Sequence, residues 1–596
     1  MHHKRKRAEA DSTSRSTTLK RRRHTASPDL LSPLSDELLV RILTFLPLSD
    51  LLNTAPVSRR FHILSGDSQI WKQLYYSRFV LPRALRIPGF RDGSAKDGKV
   101  HYSSRRAVWV DGRRGGMVNM CNGEEDKRSR DWKRQYRLRH NWSRGKCAVE
   151  ELRVRKDSEL RDADSTHKML VKVSEGIAIT ADVETGLRAW DLKTKQLLAQ
   201  VSLSETGSAS VPSCIAMDDQ NHLDQALDIA IGFTDGSFGV WKLDIRERRI
   251  VRRYRHEKSS NGDLIGVAIS YPYLLTATKS VLISLYTFDG PHKTQRLPSN
   301  VGAESETEQD PESETTPESA IQIEDEHALS NSTSGVRESN AQSGTALQAP
   351  YLLTSLKSHT SRAPLALSIR RTTGSIVASI AYTFSTLQGW SLGIQDLHLR
   401  PSSSGSNPTP EVTSTRLAYT LPVRSAPTNI PSPPTSPARG ASSSVPTFTS
   451  DYLEGPISLC YTHPYLLVTL PDNTLILHLC TSNASSLSIS PGIRLWGHTS
   501  GISDAEITAR GKAVSVSCRG EEIRVWELEG RANGRSIEVR PTAKPVADDS
   551  DDVDSRDAST MIQWDDRRNW VGFDDEMVIV LKESKGRESL MVYDFT

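Results

Sequence analysis

From about residue 165 the chain repeats one local form: an apolar strand, a tight turn and a second strand closing on an aromatic residue. GIAITADVETGLRAWDL closes on Trp190-Asp191, LDIAIGFTDGSFGVWKLD on Trp241, and YLLTATKSVLISLYTFD on Tyr286. IRLWGHTSGISDAEITARGKAVSVSCRGEEIRVWELE carries Gly497-His498 near its start and Trp526-Glu527 at its end. WVGFDDEMVIVLKESKGRESLMVYDFT ends on Tyr593-Asp594. Less regular units fit at 351–398, with Trp390 in the closing strand, and at 452–481, where YLLVTLPDNTLILHL reads as a hairpin. That makes seven units of short strands, an all-β pattern. An open stack of small sheets would expose strand edges and apolar faces, and a closed ring removes both. The last unit lacks an outer strand of its own, and Cys147–Val154 (CAVEELRV) is the natural donor.

A unit of this size with Gly-His early and Trp-Asp late resembles the WD repeat, of which each copy builds one four-stranded β-propeller blade. Only the unit at 493–528 shows both ends of that signature. Two insertions interrupt the ring: 299–348 is rich in Glu, Ser and Thr, and 401–450 in Pro, Ser and Thr. Neither can bury enough apolar surface to offset its ordering entropy, so both are expected as disordered loops, with a shorter one near 541–558.

Ahead of the repeats, residues 31–79 have a different period. Ser35 is placed to cap a helix, and Asp36 and Glu37 put negative charge in its first turn. Leu38, Leu39, Ile42, Leu43 and Leu46 then form an apolar stripe that Pro47 stops. A second short helix holds Leu51 and Leu52, a third follows Pro56 with Val57, Phe61 and Leu64, and a fourth begins at Ile70, Trp71 and Leu74. So many large apolar groups exceed what some 45 residues can hide, and the surplus points to a docking face. The order Leu34, Glu37-Leu38, Ile42, Leu46-Pro47, Asp50-Leu51, Val57-Ser58-Arg59-Arg60-Phe61, Trp71, Leu74 resembles an F-box. One departure is that Ser35 follows Leu34 where the family usually has proline; the proline here is Pro33. The resemblance implies docking on the Skp adaptor, and through it on a cullin scaffold, by Leu34, Leu38, Leu39, Ile42, Leu43, Leu46, Leu51, Leu52, Val57 and Phe61.

The expected organisation is multidomain. A basic tail (1–29) precedes a small all-α F-box (30–80), a basic linker (81–146) packs the F-box to the repeats, and 147–596 is an all-β, seven-bladed, WD-repeat-like propeller. The net charge of +4 sums opposed blocks: Lys133–Arg161 is basic, while Glu304–Glu326 carries ten acidic residues and no basic one. Lys4, Arg5, Lys6 and Arg7 with Lys20, Arg21, Arg22 and Arg23 resemble a bipartite import signal, which predicts the nucleus and leaves the cytoplasm open. Segment 131–147 (DWKRQYRLRHNWSRGKC) reads as linker, like the Asn-Trp…Gly segment that F-box proteins with WD repeats often carry, ahead of a nucleic-acid patch.

No nucleotide-binding, metalloprotease or serine-hydrolase motif is present, and the six cysteines, Cys121, Cys147, Cys214, Cys460, Cys480 and Cys518, lack zinc spacing. No apolar run is long enough to span a bilayer, and the first residues lack a signal-peptide core. The expectation is an intracellular, non-enzymatic chain without metal, cofactor or membrane partner: the substrate receptor of a cullin–RING ubiquitin ligase. The competing reading is a WD-repeat scaffold in a nuclear or RNA-processing complex. In phosphodegron-binding F-box receptors a basic residue recurs seven positions before a blade's closing aromatic. Here that count gives Arg519 and Lys279, and a target gripped there would be phosphorylated; Val183 and Thr234 leave the basic set incomplete.

Overall fold

The computed structural model describes residues 30–84, 131–154, 169–204, 210–218, 226–289, 347–372, 375–400, 410–422, 455–483, 485–528, 535–541, 569–584 and 587–596. Described residues up to Tyr136 form one compact unit and those from Arg137 onward a second. The basic tail and most of the 299–348 and 541–558 segments lie outside the described residues.

The first unit is helical: α1 (Asp36–Leu43), α2 (Leu48–Thr54), α3 (Arg59–Ser65), α4 (Ser68–Tyr75), a π-helical turn (Tyr76–Val80), α5 (Leu81–Ala84) and the start of α6 (Trp132–Arg144). Helix α1 is shorter than its apolar stripe. After Leu43 the amides of Phe45 and Leu46 bond three residues back, to Ile42 and Leu43, so a tight turn leads into Pro47. Ser35 takes the N-cap position, but its backbone carbonyl, not its hydroxyl, receives an amide, that of Leu39. Ser58 and Asp67 do cap α3 and α4 with their side chains. The Arg60 guanidinium ties the entry segment down: it pairs with Asp36 and donates to the carbonyls of Ser32 and Leu34. Leu39, Leu43, Leu51, Leu64, Ile70 and Trp71 form the core, completed by Trp132 and Tyr136, with Trp71 edge-on to Tyr136 at 5.5 Å.

The second unit is a ring of seven blades, each a meander from an innermost to an outer strand. Six blades run 170–201, 212–255, 264–357, 361–419, 458–495 and 502–538. The seventh combines three strands from 570–594 with an outer strand, Lys146–Arg153, which pairs antiparallel with Arg587–Asp594 in the register Ala148 to Asp594 and Arg153 to Ser589. The expected donor closes the ring. Innermost strands touch their neighbours all the way round, and a separate apolar cluster fills each of the seven gaps between blades.

The blade boundaries correct the repeat boundaries. Tyr351–Lys357 is not the start of the fourth blade but the outer strand of the third, reached after the long insertion. Glu411–Tyr419, inside the stretch expected as a loop, is a strand: EVTSTRLAY is β-prone and lies on the blade's outer edge, where alternate residues face solvent. Ile493–Leu495 pairs with the third strand of the fifth blade, so the Gly-His…Trp unit straddles two blades instead of filling one.

That offset gives the two ends of the signature a physical role. Buried Ser515 receives a hydrogen bond from Trp526 Nε1 at 2.9 Å and bonds His498 Nε2 at 2.6 Å, while His498 Nδ1 lies 3.4 Å from Glu522. The chain of polar groups ties the connector entering the sixth blade to its second and third strands. In the first blade the shorter version joins Trp190 Nε1 to Thr180 at 3.1 Å.

The Asn141-Trp142…Gly145 segment locks the closing strand in place. Trp142 stacks on Phe595 at 3.9 Å and donates to the Asp575 carbonyl, and Asn141 donates to the Phe595 carbonyl. Gly145 turns the chain with φ +67°, and a Cβ there would stand 2.1 Å from the Glu538 carbonyl oxygen. Gly145→Ala therefore combines left-handed strain of about 1–2 kcal/mol with a backbone clash. Gly262→Ala (φ +91°, open space around a Cβ) carries the strain alone. In urea denaturation followed by tryptophan fluorescence, Gly145→Ala should lower the midpoint clearly more than Gly262→Ala; equal shifts would contradict the packing described.

Candidate functional site

The helical unit sorts its leucines into two sets. Leu39, Leu43 and Leu51 are 2%, 3% and 0% exposed and hold the four helices together, so these three expected docking residues belong to the interior. Leu34, Leu46 and Phe61 are half-buried against that core. Leu38, Ile42, Leu52 and Val57 are exposed, and with them Phe45 (76%) and Ile63 (65%), which the apolar stripe does not single out. Reading α1 as one continuous helix through Leu46 hides Phe45; the tight turn after Leu43 turns it outward. The result is a unit with a closed core and, between residues 36 and 65, six large apolar side chains left over. Two carboxylates accompany them in the first turn of α1, and the Glu37 carboxyl is held below the usual range by its own backbone amide and the Ser35 hydroxyl.

In the ring, turns between second and third strands, together with connectors from one blade to the next, lie on one face by the parity of a four-stranded meander. Lys279 and Arg519 both sit in such turns, exposed, in the third and sixth blades. The Lys279 amide donates to the Asp263 carbonyl at 2.8 Å. Arg519 lies between Cys518, whose amide bonds the Gly501 carbonyl, and Gly520 at φ +70°. Two whole blades lie between them even by the shorter way round the ring, so they share a face but not a site: one phosphate cannot meet both. Val183 and Thr234 occupy the turns of the first two blades.

The same face shows apolar groups that periodicity did not single out. Trp496, in the connector into the sixth blade, is 68% exposed beneath the Arg494 guanidinium, 5.5 Å from its ring. On the fourth blade Leu387, Leu417, Tyr419 and Leu421 are exposed. These residues lie in a turn, in connectors or on an edge strand, where no alternation marks the outward side chain.

Two turn aspartates are taken up by the backbone and side chains of their own turns: Asp191 accepts from the Lys193 amide and the Thr194 hydroxyl, and Asp235 from the amide and hydroxyl of Ser237. Burial pushes the thiols of Cys147, Cys214, Cys460 and Cys480 up to about 12, so they stay protonated at neutral pH.

Comparison with known proteins shows the same division. Residues 147–596 match the family model described as F-box protein pof12 beta-propeller, and residues 36–77 match an F-box-like model. No curated protein matches. Among the many solved structures that align, two at low identity serve as examples. The computationally designed Ika8 protein is 11% identical, with 73% of this chain and 86% of that one covered, at TM-score 0.33. U3-55K is 8% identical, with 75% and 98% covered, at TM-score 0.36. Both likenesses are too shallow to bear on function.

Core and surface leucines should separate experimentally. Leu43→Asp buries an unpaired carboxylate, costing several kcal/mol in a small core, and should abolish the helical unit's folded signature. Ile42→Asp, one residue earlier and 45% exposed, should leave that signature intact. Protease protection of residues 30–84 checks both, and loss of protection in Ile42→Asp would contradict the division.

Proposed function

The chain belongs to the F-box proteins with a pof12-type β-propeller, and from that premise we propose that it docks on the Skp adaptor through α1–α3 and carries a captured target on the ring. In this reading it is the non-catalytic substrate receptor of a cullin–RING ubiquitin ligase. The transfer chemistry belongs to the other subunits, and the receptor supplies proximity and orientation. The observation that carries the proposal is the leftover apolar set, Leu38, Ile42, Phe45, Leu52, Val57 and Ile63, on a unit whose core is already complete. Each such side chain, fully buried against a partner, contributes about 1.5–3 kcal/mol, so a few suffice for stable docking. A set this large on so small a unit marks an interaction face.

The test is co-purification of the Skp adaptor with the full chain. Wild type should retain the adaptor; Ile42→Asp and Val57→Asp should lose it while the protease protection of residues 30–84 persists. Adaptor retained by both variants, or absent from wild type, would contradict the proposal and leave the ring as a scaffold. The basic tail is proposed to direct nuclear import. A carrier too large to diffuse through nuclear pores, fused to residues 1–30, should accumulate in the nucleus, and a wholly cytoplasmic signal would contradict it.

A further inference from the structure

The fourth blade is built on a different scale from the others. Its first three strands are 12 residues each, where those of the remaining blades have at most 8. At about 3.3 Å per residue such strands run roughly 40 Å. The ends that carry Tyr382, Phe384 and Tyr419 rise beside the Val281 turn and the Ser358 connector of the third blade, and together they line a groove of about 480 Å³. Its wall is aromatic. Phe384 meets Tyr419 edge-on at 5.5 Å and Tyr382 at 6.1 Å, and burial together with the hydrogen bond to Tyr419 pushes the Tyr382 phenol pKa up.

Aliphatic side chains fill most of the gap between these blades, with Tyr382 packed against them and Phe384 and Tyr419 outside that cluster. Leu275, Leu285, Ile380 and Leu397 are among them, and Leu417 (49%) and Tyr419 (54%) stay open to solvent at the rim of the gap. Basic residues outnumber acidic ones around the groove. Lys279, Lys357 and Arg362 stand exposed in the bordering segments, with His359 between the last two, while the connector into the third blade (256–263) carries two carboxylates, Glu257 and Asp263, beside Lys258. An apolar slot with a cationic rim selects an anionic chain that carries an apolar anchor.

We propose that this groove is where the ring grips its target, taking an acidic peptide segment that seats one phenylalanine- or leucine-sized side chain among Tyr382, Phe384, Leu417 and Tyr419. The site rests on the receptor reading above and gives it a substrate class. The aromatic wall supplies most of the affinity, and the exposed lysines and arginine supply selection and encounter rate, which salt screens.

The probe is a fluorescein-labelled peptide, Glu-Glu-Gly-Phe-Gly-Glu-Glu, titrated with the full chain by fluorescence anisotropy. Its controls are the same peptide with lysine for glutamate and with glycine for phenylalanine. Saturable binding is expected, at least tenfold weaker for either altered peptide, for Leu417→Ser and for Tyr419→Ser, and weaker at raised salt. Both substitutions lie on an exposed edge strand, and an unchanged urea midpoint shows that the ring still folds. Lys279→Glu with Lys357→Glu should weaken the acidic peptide and strengthen its lysine counterpart.

No anisotropy rise up to about 1 mM, or binding unaffected by Leu417→Ser and Tyr419→Ser, overturns the site. So does an oligonucleotide that competes for the rim without dependence on Tyr419. Adaptor co-purification from the same preparations keeps the two claims apart: it persists if only the groove fails, and it alone is lost if only the docking face fails.

Discussion

The structure depends on one pairing between distant parts of the chain: strand Lys146–Arg153 against Arg587–Asp594. Without it the seventh blade has three strands and an open edge, and the gap between the seventh and first blades loses Leu152 and Val154 from its cluster. The neighbouring contacts reinforce the seam. Lys172 on the first blade's inner strand meets Glu506 on the sixth at 2.9 Å, reaching past the seventh, and that carboxylate is the chief cause of the raised Lys172 pKa. Asp574 receives the Gly176 amide from the first blade, and Asp504 receives the Val571 amide on the other side. Closure joins residues early and late in the sequence, so it carries a loop-closure entropy that the local hairpins do not.

The ring and the helical unit solve the apolar-surface problem in opposite ways. Seven gaps bury the ring's aliphatic faces, and the paired seventh blade leaves no blade short of a strand. The helical unit closes a core around Trp71 and Tyr136 yet keeps six large apolar side chains of residues 36–65 outside. One module is self-sufficient and the other is incomplete by virtue of its sequence, which is the division of labour expected of a receptor that must be carried by something else. Its charge pattern supports that division: the groove on the ring is rimmed by lysine and arginine, whereas α1 begins with Asp36 and Glu37.

Much of this was legible in the residues. Closing aromatics marked the third strands at Trp190, Trp241, Tyr286, Trp526 and Tyr593, because a ring stacked between blades needs a large side chain there. CAVEELRV was readable as the closing strand since the last unit ended one strand short. Outer strands were poorly legible: Glu411–Tyr419 is a half-exposed edge strand with no apolar run to announce it, and Tyr351–Lys357 reads as a strand without showing that it closes the third blade instead of opening the fourth. The docking face was half legible. Periodicity grouped Leu38, Leu39, Ile42 and Leu43 on one stripe, but only packing shows that Leu39 and Leu43 turn inward while Leu38 and Ile42 do not. The groove between the third and fourth blades left no sequence signal, because its wall comes from several strands and a connector far apart in the chain.

The central claim is that the two modules divide the work, with adaptor docking confined to the helical unit. Hydrogen–deuterium exchange of the full chain with and without the Skp adaptor reads this directly. The account predicts new protection in α1 through α3, residues 36–65, and unchanged exchange across 147–596. Protection that appears on the ring, or none in α1 through α3, would contradict it.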